Sequence, residues 1–197
     1  MFIENEDEWI MTLSQEAGRR FFDLLLTIDR EECDRVQALG CPDCQGPLDR
    51  GDHARKLRAG PLQHLAVGLR RANLCCRDCR HRQMPESVVF LGRRVYAGFV
   101  VVLASILASG LTPRRLARVQ TSLGVSAQTV GRWQRWWHSA FVATPPWASR
   151  RGDFMPPLDP LALPGDLMAR CKRDAHPGRL VLMLQFLAPW SNLREGR

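Results

Sequence analysis

The sequence predicts a mainly helical α+β fold in which a small ribbon of short strands precedes a helix-turn-helix. Apolar residues recur at helical spacing on both sides of a middle stretch that is punctuated by Pro, Gly and Asp. Two C-x2-C pairs bracket this stretch, and a capped, glycine-containing turn separates two helical patterns beyond it. The predicted units are an acidic helical segment (1–40), a ribbon (41–91), a helix-turn-helix domain (92–143) and a proline-rich arm with a short final helix (144–197).

The N-terminal segment predicts two helices. The first begins near Ser14, and a second, shorter helix runs from Asp29 to Leu39 and stops at Gly40. The apolar face of the first helix contains Phe21, Phe22, Leu24, Leu25 and Ile28. Ten acidic and four basic residues give residues 1–40 a net charge of −6. This acidic surface is either a solvated face, which we favour, or a contact for a partner.

Positive charge is concentrated in the middle of the chain. Residues 41–151 contain eighteen basic and five acidic residues, a net charge of +13, whereas the whole chain carries +8. Such a segregated field attracts a polyanion. Almost all of these bases are arginines, which suit bidentate contacts with phosphate and guanine, although a GC-rich genome would favour arginine as well. The segregation of charge along the chain, and not the choice of arginine, therefore indicates a polyanionic partner.

Two observations bear on membranes and export. Acidic residues from Glu4 to Glu8 occupy the place where a signal peptide would be positive. The uncharged run from Val95 to Leu111 has seventeen residues, fewer than the roughly twenty that span a bilayer. We therefore expect a buried helix here rather than a membrane span, and a cytoplasmic protein associated with the nucleoid.

The cysteine pairs are spaced as metal ligands. Cys41 and Cys44 form one C-x2-C pair, and Cys76 and Cys79 form another after thirty-one intervening residues. A tight turn points two thiolates at one ion, and two such turns complete a tetrahedral site with Zn–S distances of about 2.3 Å. The sequence therefore predicts a structural Zn²⁺ held by these four cysteines. Four protein ligands leave no open position for substrate, so the metal supports folding.

Other interpretations of the cysteines stay open. The thiols could be buried and unligated, or redox-active, and without export a disulfide framework is not expected. Cys75 or Cys76 could supply the third ligand. The spacing favours Cys76, with Cys75 turned inward as a small apolar residue. His81 is a further alternative to one thiolate.

The segment from Leu111 to Trp137 has the order of a helix-turn-helix. Thr112 is a good N-cap and Pro113 suits the first helical position. Gly124 ends the first helix and Ser126 caps the second. The apolar faces are formed by Leu116, Val119 and Leu123 in the first helix and by Val130, Trp133 and Trp137 in the second.

The other side of the second helix is expected to contact double-stranded DNA. It presents Ala127, Gln128, Gly131, Arg132 and Arg135. In a recognition helix, glutamine pairs with adenine and arginine with guanine, which assigns base contacts to Gln128 and Arg132. The expected phosphate contacts are Thr129 on this helix and Arg114, Arg115 and Arg118 on the preceding one. The alternative is an ordinary helical hairpin with a solvated basic face.

The order of these motifs resembles the N-terminal DNA-recognition region of bacterial insertion-sequence transposases. The stretch from Phe90 to Trp137 also resembles small bacterial proteins associated with mobile elements. The resemblance covers about residues 41–150. It matches the four cysteines named above to zinc ligands and residues 126–135 to a recognition helix. It implies a role in transposition or DNA recombination.

One departure from the transposases concerns catalysis. Transposases need an RNase H-like domain in which two aspartates and a glutamate hold two metal ions. The acids that follow the helix-turn-helix, Asp153, Asp159, Asp166 and Asp174, lie in sequence broken by Pro and Gly. Residues 144–164, with six of the thirteen prolines, are expected to form an extended arm or linker. We therefore expect a non-catalytic accessory factor or regulator.

Each end of the chain is a candidate contact for a protein partner. Residues 1–40 or 144–197 would contact a recombinase, a transposase or a second copy of the chain. The alternative is an adaptor that binds protein or structured RNA through the same ribbon and helices. The aromatic pattern of RNA-binding modules is not visible in the sequence, which makes RNA the lesser candidate.

Overall fold

The computed structural model describes residues 15–57, 69–92, 95–108, 117, 121, 123–171 and 178–193. This part of the chain is α+β and mostly helical, as the sequence predicts. The helices are α1 Gln15–Leu39, α2 Gly98–Ala108, α3 Ala127–Trp136, α4 Pro145–Arg150, α5 Gly165–Arg170 and α6 Gly178–Leu187. The strands are β1 Leu48–Arg50, β2 His53–Ala54, β3 Arg70–Arg71, β4 Leu74–Cys76 and β5 Arg82–Gln83.

The strands form two small antiparallel sheets, which we call the strand region (residues 41–57 and 69–83). One sheet has the order β1-β4-β5, and the other pairs β2 with β3. In the first sheet Leu48 lies opposite Cys76, and Arg50 lies opposite Leu74. Leu48, Leu74 and Cys76 are buried, because alternate residues of a strand share one face. This register brings the chain just before β1 close to the end of β4.

Helix α1 is a single element of 25 residues, so the prediction of two helices was wrong. No Pro interrupts it, and its only glycine, Gly18, lies in the first turn. At the predicted break, the side chain of Asp29 is satisfied by residues outside the helix. Its carboxylate accepts hydrogen bonds from the Ser87 hydroxyl and from the backbone N–H of Val88 (2.7 Å). The helix ends before Gly40, where the predicted second helix was expected to stop, and Gly40 adopts the left-handed conformation with a φ of 77°.

Helix α1 contributes to both hydrophobic cores of the described chain. Its first half packs Phe21, Phe22 and Leu25 into the main core. Its second half adds Cys33 and Val36 to a smaller core in the strand region. The other buried members of that small core are Cys41, Leu48, Leu74 and Cys76. One rigid helix therefore connects the strand region to the remaining helices, which we call the helical body (α2–α6).

Helix α2 is buried on every side, as expected for the uncharged run. All residues from Gly98 to Leu107 are buried. A helix that is apolar all round belongs in a protein core or a membrane. Among the described helices, none combines the length and the apolar character that crossing a bilayer requires.

The proline-rich stretch forms short helices separated by bends, not the extended arm or linker that was predicted. Pro145 and Pro160 each stand in the first turn of a helix, where the missing N–H costs nothing. Thr144 caps α4 by accepting a hydrogen bond from the N–H of Trp147, and Asp159 caps a 3₁₀ turn at Pro160–Ala162. The segment packs into the main core through Trp147, Leu158 and Leu163.

Arg71 connects the strand region to the C-terminal turn, which consists of the 3₁₀ helix Ala188–Ser191 and its C-cap Asn192. The side chain of Arg71 is only 4% exposed. Nη2 donates hydrogen bonds to the carbonyl of Pro85, to Ser191 Oγ (3.3 Å) and to Asn192 Oδ1 (2.8 Å). Burial lowers the pKa of Arg71, and the charge of Asp29 opposes that shift. Burial in turn raises the pKa of Asp29.

We expect Arg71→Met to destabilise the protein by about 3 kcal/mol, because it removes a buried charge and leaves its acceptors and Asp29 without compensation. The free energy of unfolding is measured by chemical denaturation. Arg70→Met is the matched control: Arg70 lies next to Arg71 on β3 but is exposed, and its loss should cost less than about 1 kcal/mol. Equal losses from the two substitutions would contradict this role for Arg71.

Candidate metal centre and exposed helix surface

Two turns of the same backbone conformation present the predicted cysteines. In the first, the N–H of Cys41 donates to the carbonyl of Gly46 (2.9 Å) and the N–H of Gln45 donates to the carbonyl of Cys41 (2.8 Å). In the second, Cys76 donates to His81 (2.8 Å) and Arg80 donates to Cys76 (3.2 Å) at the same offsets. Gln45 and Arg80 occupy equivalent positions and share a positive φ, 61° and 64°. The two turns are therefore copies of one local structure.

The four predicted sulfur atoms form one cluster. The Sγ atoms of Cys41, Cys44, Cys76 and Cys79 lie within 4.8 Å of one another. The separations of Cys41 from Cys79 and of Cys44 from Cys76 are each 3.5 Å. A tetrahedral four-thiolate site with metal–sulfur bonds of about 2.3 Å requires sulfur separations of about 3.8 Å. The spacing therefore fits a metal ion at the centre.

The electrostatics of the cluster favour a bound cation. Backbone N–H groups of Cys79 and Asp78 stabilise the Cys76 thiolate and lower its pKa to about 7. At Cys79 the N–H of His81 also acts to lower the pKa, but the thiols of Cys44 and Cys41 outweigh it and raise the value to about 12. A cation shared by four thiolates removes this mutual opposition and allows all four to be deprotonated.

The structure decides which adjacent cysteine joins the cluster. Cys76 is buried and belongs to it, as the spacing favoured. Cys75 points to the other face of β4 and is partly exposed, so the prediction that it turns inward was wrong. The reason is the alternation of a strand, which turns Leu74 and Cys76 into the small core. His81 does not belong to the cluster of possible ligand atoms, and its Nδ1 pairs with Asp43 Oδ2 of the other turn at 2.7 Å.

Gly46 lies against the side chain of Asp78 of the second turn and against the Cys44 thiol, a contact that the sequence analysis missed. A Cβ added there would lie 2.2 Å from Asp78 Oδ2 and 3.3 Å from Cys44 Sγ. The first distance is a clash with the end of an exposed side chain, so a larger residue would require Asp78 to move aside, and the second distance leaves little room beside the thiol. A glycine two residues after a C-x2-C pair is the sequence signal that points to this contact.

Helix α3 shows the two faces that were predicted. Ser126 is its N-cap and accepts a hydrogen bond from the N–H of Thr129, and Gly124 before it has a φ of 60°. The buried face consists of Val130, Trp133 and Trp137. The exposed face includes Ala127, Gln128, Arg132 and Arg135. From Ala127 to Trp136 the helix contains no acidic residue, so this surface is positively charged.

Thr129 does not belong to that exposed face. It is only 5% exposed, and its hydroxyl lies 3.1 Å from Ser126 Oγ and accepts a hydrogen bond from Arg132 Nη2 (3.0 Å). Thr129 therefore completes the helix cap and orients Arg132, which corrects its assignment as a phosphate contact. Arg114, Arg115 and Arg118 lie outside the described residues, as do Thr112 and Pro113.

Comparison with known proteins found no relative. No protein-family model matches the chain, and neither the curated proteins nor the solved structures gave a match.

Substitutions of the adjacent residues Cys75 and Cys76 test the assignment of the metal ligands. Purified wild-type protein should contain one metal ion per chain. Cys76→Ser should weaken binding of Zn²⁺, used as the test metal, by more than about a hundredfold because it removes a ligand. Metal content is measured by elemental mass spectrometry and affinity by competition with a chromophoric chelator.

Cys75→Ser is the control for this experiment, because it changes the adjacent thiol without touching the cluster. It should bind the metal like the wild type. Equal loss of metal in both variants, or full retention in Cys76→Ser, would be inconsistent with the assignment of the four ligands.

Proposed function

We propose that the chain is a zinc-stabilised, sequence-specific DNA-binding protein without a catalytic site, acting as an accessory factor or regulator of a mobile element. The observation that carries the proposal is the surface of α3. One face of this helix is open to solvent, bears arginines and Gln128, and contains no acidic residue. Trp133 and Trp137 fix the opposite face in the core.

We assign zinc to the cysteine cluster and interpret the strand region as a zinc ribbon. Four thiolates in a tetrahedral arrangement are the ligand set of structural zinc sites. When bound, the ion supplies a cross-link that neutralises the thiolates and holds the two turns together. The ligand set is closed, so the metal would stabilise the fold and would not activate water.

We interpret residues 111–137 as a helix-turn-helix with α3 as the recognition helix. The short turn before α3, with Gly124 in the left-handed conformation and Leu123 and Val125 buried, supports this proposal. Most of the first helix of the motif lies outside the described residues. Its arginines would contact phosphates and set the register on the duplex.

The mechanism is recognition alone. The net charge of +13 on residues 41–151 would draw the protein to the phosphate backbone, with an affinity that falls steeply as salt rises. Gln128 and Arg132, in the first half of α3, have the side chains and exposure to read base edges in the major groove. Arg135, one turn further along, would contact phosphate.

The role in transposition has narrower support than DNA binding. It rests on the motif order of the cysteine pairs and the following helices, which resembles the DNA-recognition region of insertion-sequence transposases. A recombinase, a transposase or a second copy of the chain is the proposed protein partner. If duplex DNA fails to bind, the alternative function is an adaptor that binds protein or RNA.

Selection from a random duplex library, followed by binding assays at several salt concentrations, tests the role of α3. We expect Arg132→Ala to lose discrimination at one base pair, worth about 1–3 kcal/mol, because a base contact carries sequence information. Arg135→Ala should weaken all sequences alike and reduce the slope of log affinity against log salt by about 0.9, as the loss of one phosphate contact does.

Arg151→Ala is the charge-matched control, since Arg151 is exposed on a different element, the 3₁₀ turn Arg151–Asp153. It should leave both affinity and preference nearly unchanged. If Arg132→Ala weakened every sequence equally, direct base readout by Arg132 would be wrong. If the wild type preferred single-stranded RNA or bound no duplex, the DNA-binding proposal itself would fail.

A substitution at Gly131 is expected to change the stability of the protein and its DNA affinity in opposite directions. Gly131 lies on the same face as Gln128, Arg132 and Arg135, and a Cβ added there meets no atom within 4 Å. Gly131→Ala should therefore stabilise the helix by up to about 1 kcal/mol. If the groove approaches this face, the added methyl group should still reduce DNA affinity. Thermal unfolding and DNA binding of the same sample test both effects, and unchanged DNA affinity would argue against a close approach at Gly131.

A further inference from the structure

A cavity of about 220 Å³ lies where the strand region meets the C-terminal turn of the helical body. The strand region contributes His53, Arg55 and Arg71 to its wall, and the opposite side contributes Phe90, Ser191 and Asn192. The cavity is separate from the cysteine cluster and from α3, because none of their residues lines it. Nothing in the proposed DNA-binding mechanism uses it.

The wall of this cavity is cationic. The guanidinium carbons of Arg55 and Arg71 each lie 5.6 Å from the centre of the Phe90 ring. Two positive charges therefore converge on one aromatic side chain. Among the described residues no carboxylate lines the cavity. Asp29 is the acid that acts on Arg71, but its carboxylate is occupied by Ser87 and Val88.

Two buried side chains at the cavity have hydrogen-bond donors to offer. The hydrogen bonds of Arg71 all come from Nη2, and within the described residues Nε and Nη1 form none. Ser191 Oγ accepts from Arg71 and from the backbone N–H of Ser87 (3.0 Å), which leaves the hydroxyl proton free to donate. Arg71 and Ser191 are 4% and 5% exposed, so these donors are already fixed in place. The repulsion of Arg55 adds to burial in lowering the pKa of Arg71.

The size of the cavity limits its occupant. It is smaller than the roughly 300 Å³ at which pockets for drug-sized ligands begin, and at about 30 Å³ per water molecule it has room for a compact oxyanion with a few waters. Convergent guanidinium groups with a hydroxyl donor match the oxygens of a phosphate group. We propose that this cavity binds a phosphate group, either as free phosphate or as the terminal phosphate of a nucleotide chain.

Isothermal titration calorimetry on the full-length protein tests the proposal. The probes are inorganic phosphate, a 5′-phosphorylated dinucleotide and the same dinucleotide without its phosphate, with sodium chloride added to hold the ionic strength constant. Because Arg71 also holds the fold together, the test variant is Arg55→Gln, and Arg82→Gln is the charge-matched control. Arg82 is exposed on β5 and does not line the cavity. Thermal unfolding of each variant checks that it is folded.

We expect inorganic phosphate to bind wild type and Arg82→Gln equally, and Arg55→Gln at least about tenfold more weakly because it loses a charge-assisted contact. Arg55→Lys should retain part of the affinity. Binding of the phosphorylated dinucleotide as well would identify a nucleotide end as a source, and binding of inorganic phosphate alone would identify a free anion. No phosphate binding by the wild type, or equal binding by folded Arg55→Gln, would overturn the proposal. Neither result depends on whether α3 binds DNA.

Discussion

The convergence of four cysteine thiols is the constraint on which the strand region depends. Its strands are only two or three residues long, and its buried core has six members, three of them cysteines. Such short sheets with so little apolar surface are marginal on their own. The four thiols lie within 4.8 Å of one another, and those of Cys44 and Cys41 raise the pKa of Cys79 to about 12. A bound metal ion would remove this obstacle to deprotonation and cross-link the two turns, so we expect metal binding to be coupled to folding of the region.

The strand region is in turn anchored to the helical body at two places. Helix α1 packs one half into each core, and Arg71 reaches from β3 to the C-terminal turn. The same body fixes α3, since Trp137 contacts Phe141 edge to face at 4.7 Å and Phe141 stacks on Trp190 at 4.8 Å. The exposed face of α3 is therefore presented by a rigid support rather than by an isolated helix. If α3 recognises a DNA groove as proposed, such support is favourable, because little conformational freedom is lost on binding.

Local patterns predicted the parts of this protein that are determined locally. The C-x2-C spacing identified all four clustered cysteines, and the caps and apolar periodicity gave the ends and faces of α3. The failures involve long-range contacts. Asp29 stays helical because a segment nearly sixty residues away satisfies its carboxylate. The proline-rich stretch folds because distant apolar residues cover it. The large number of prolines had predicted a linker, but prolines there also begin helices. The cavity between Arg55, Arg71 and Ser191 joins residues that no sequence window contains.

X-ray absorption at the zinc edge of the purified, full-length protein tests the central claim most directly, because it reports the atoms around the metal. We expect a single shell of four sulfur neighbours around the zinc ion at about 2.3 Å, with no nitrogen or oxygen ligand. A shell that contains nitrogen or oxygen, fewer than four sulfurs, or a protein that holds no metal while the strand region is folded would contradict it.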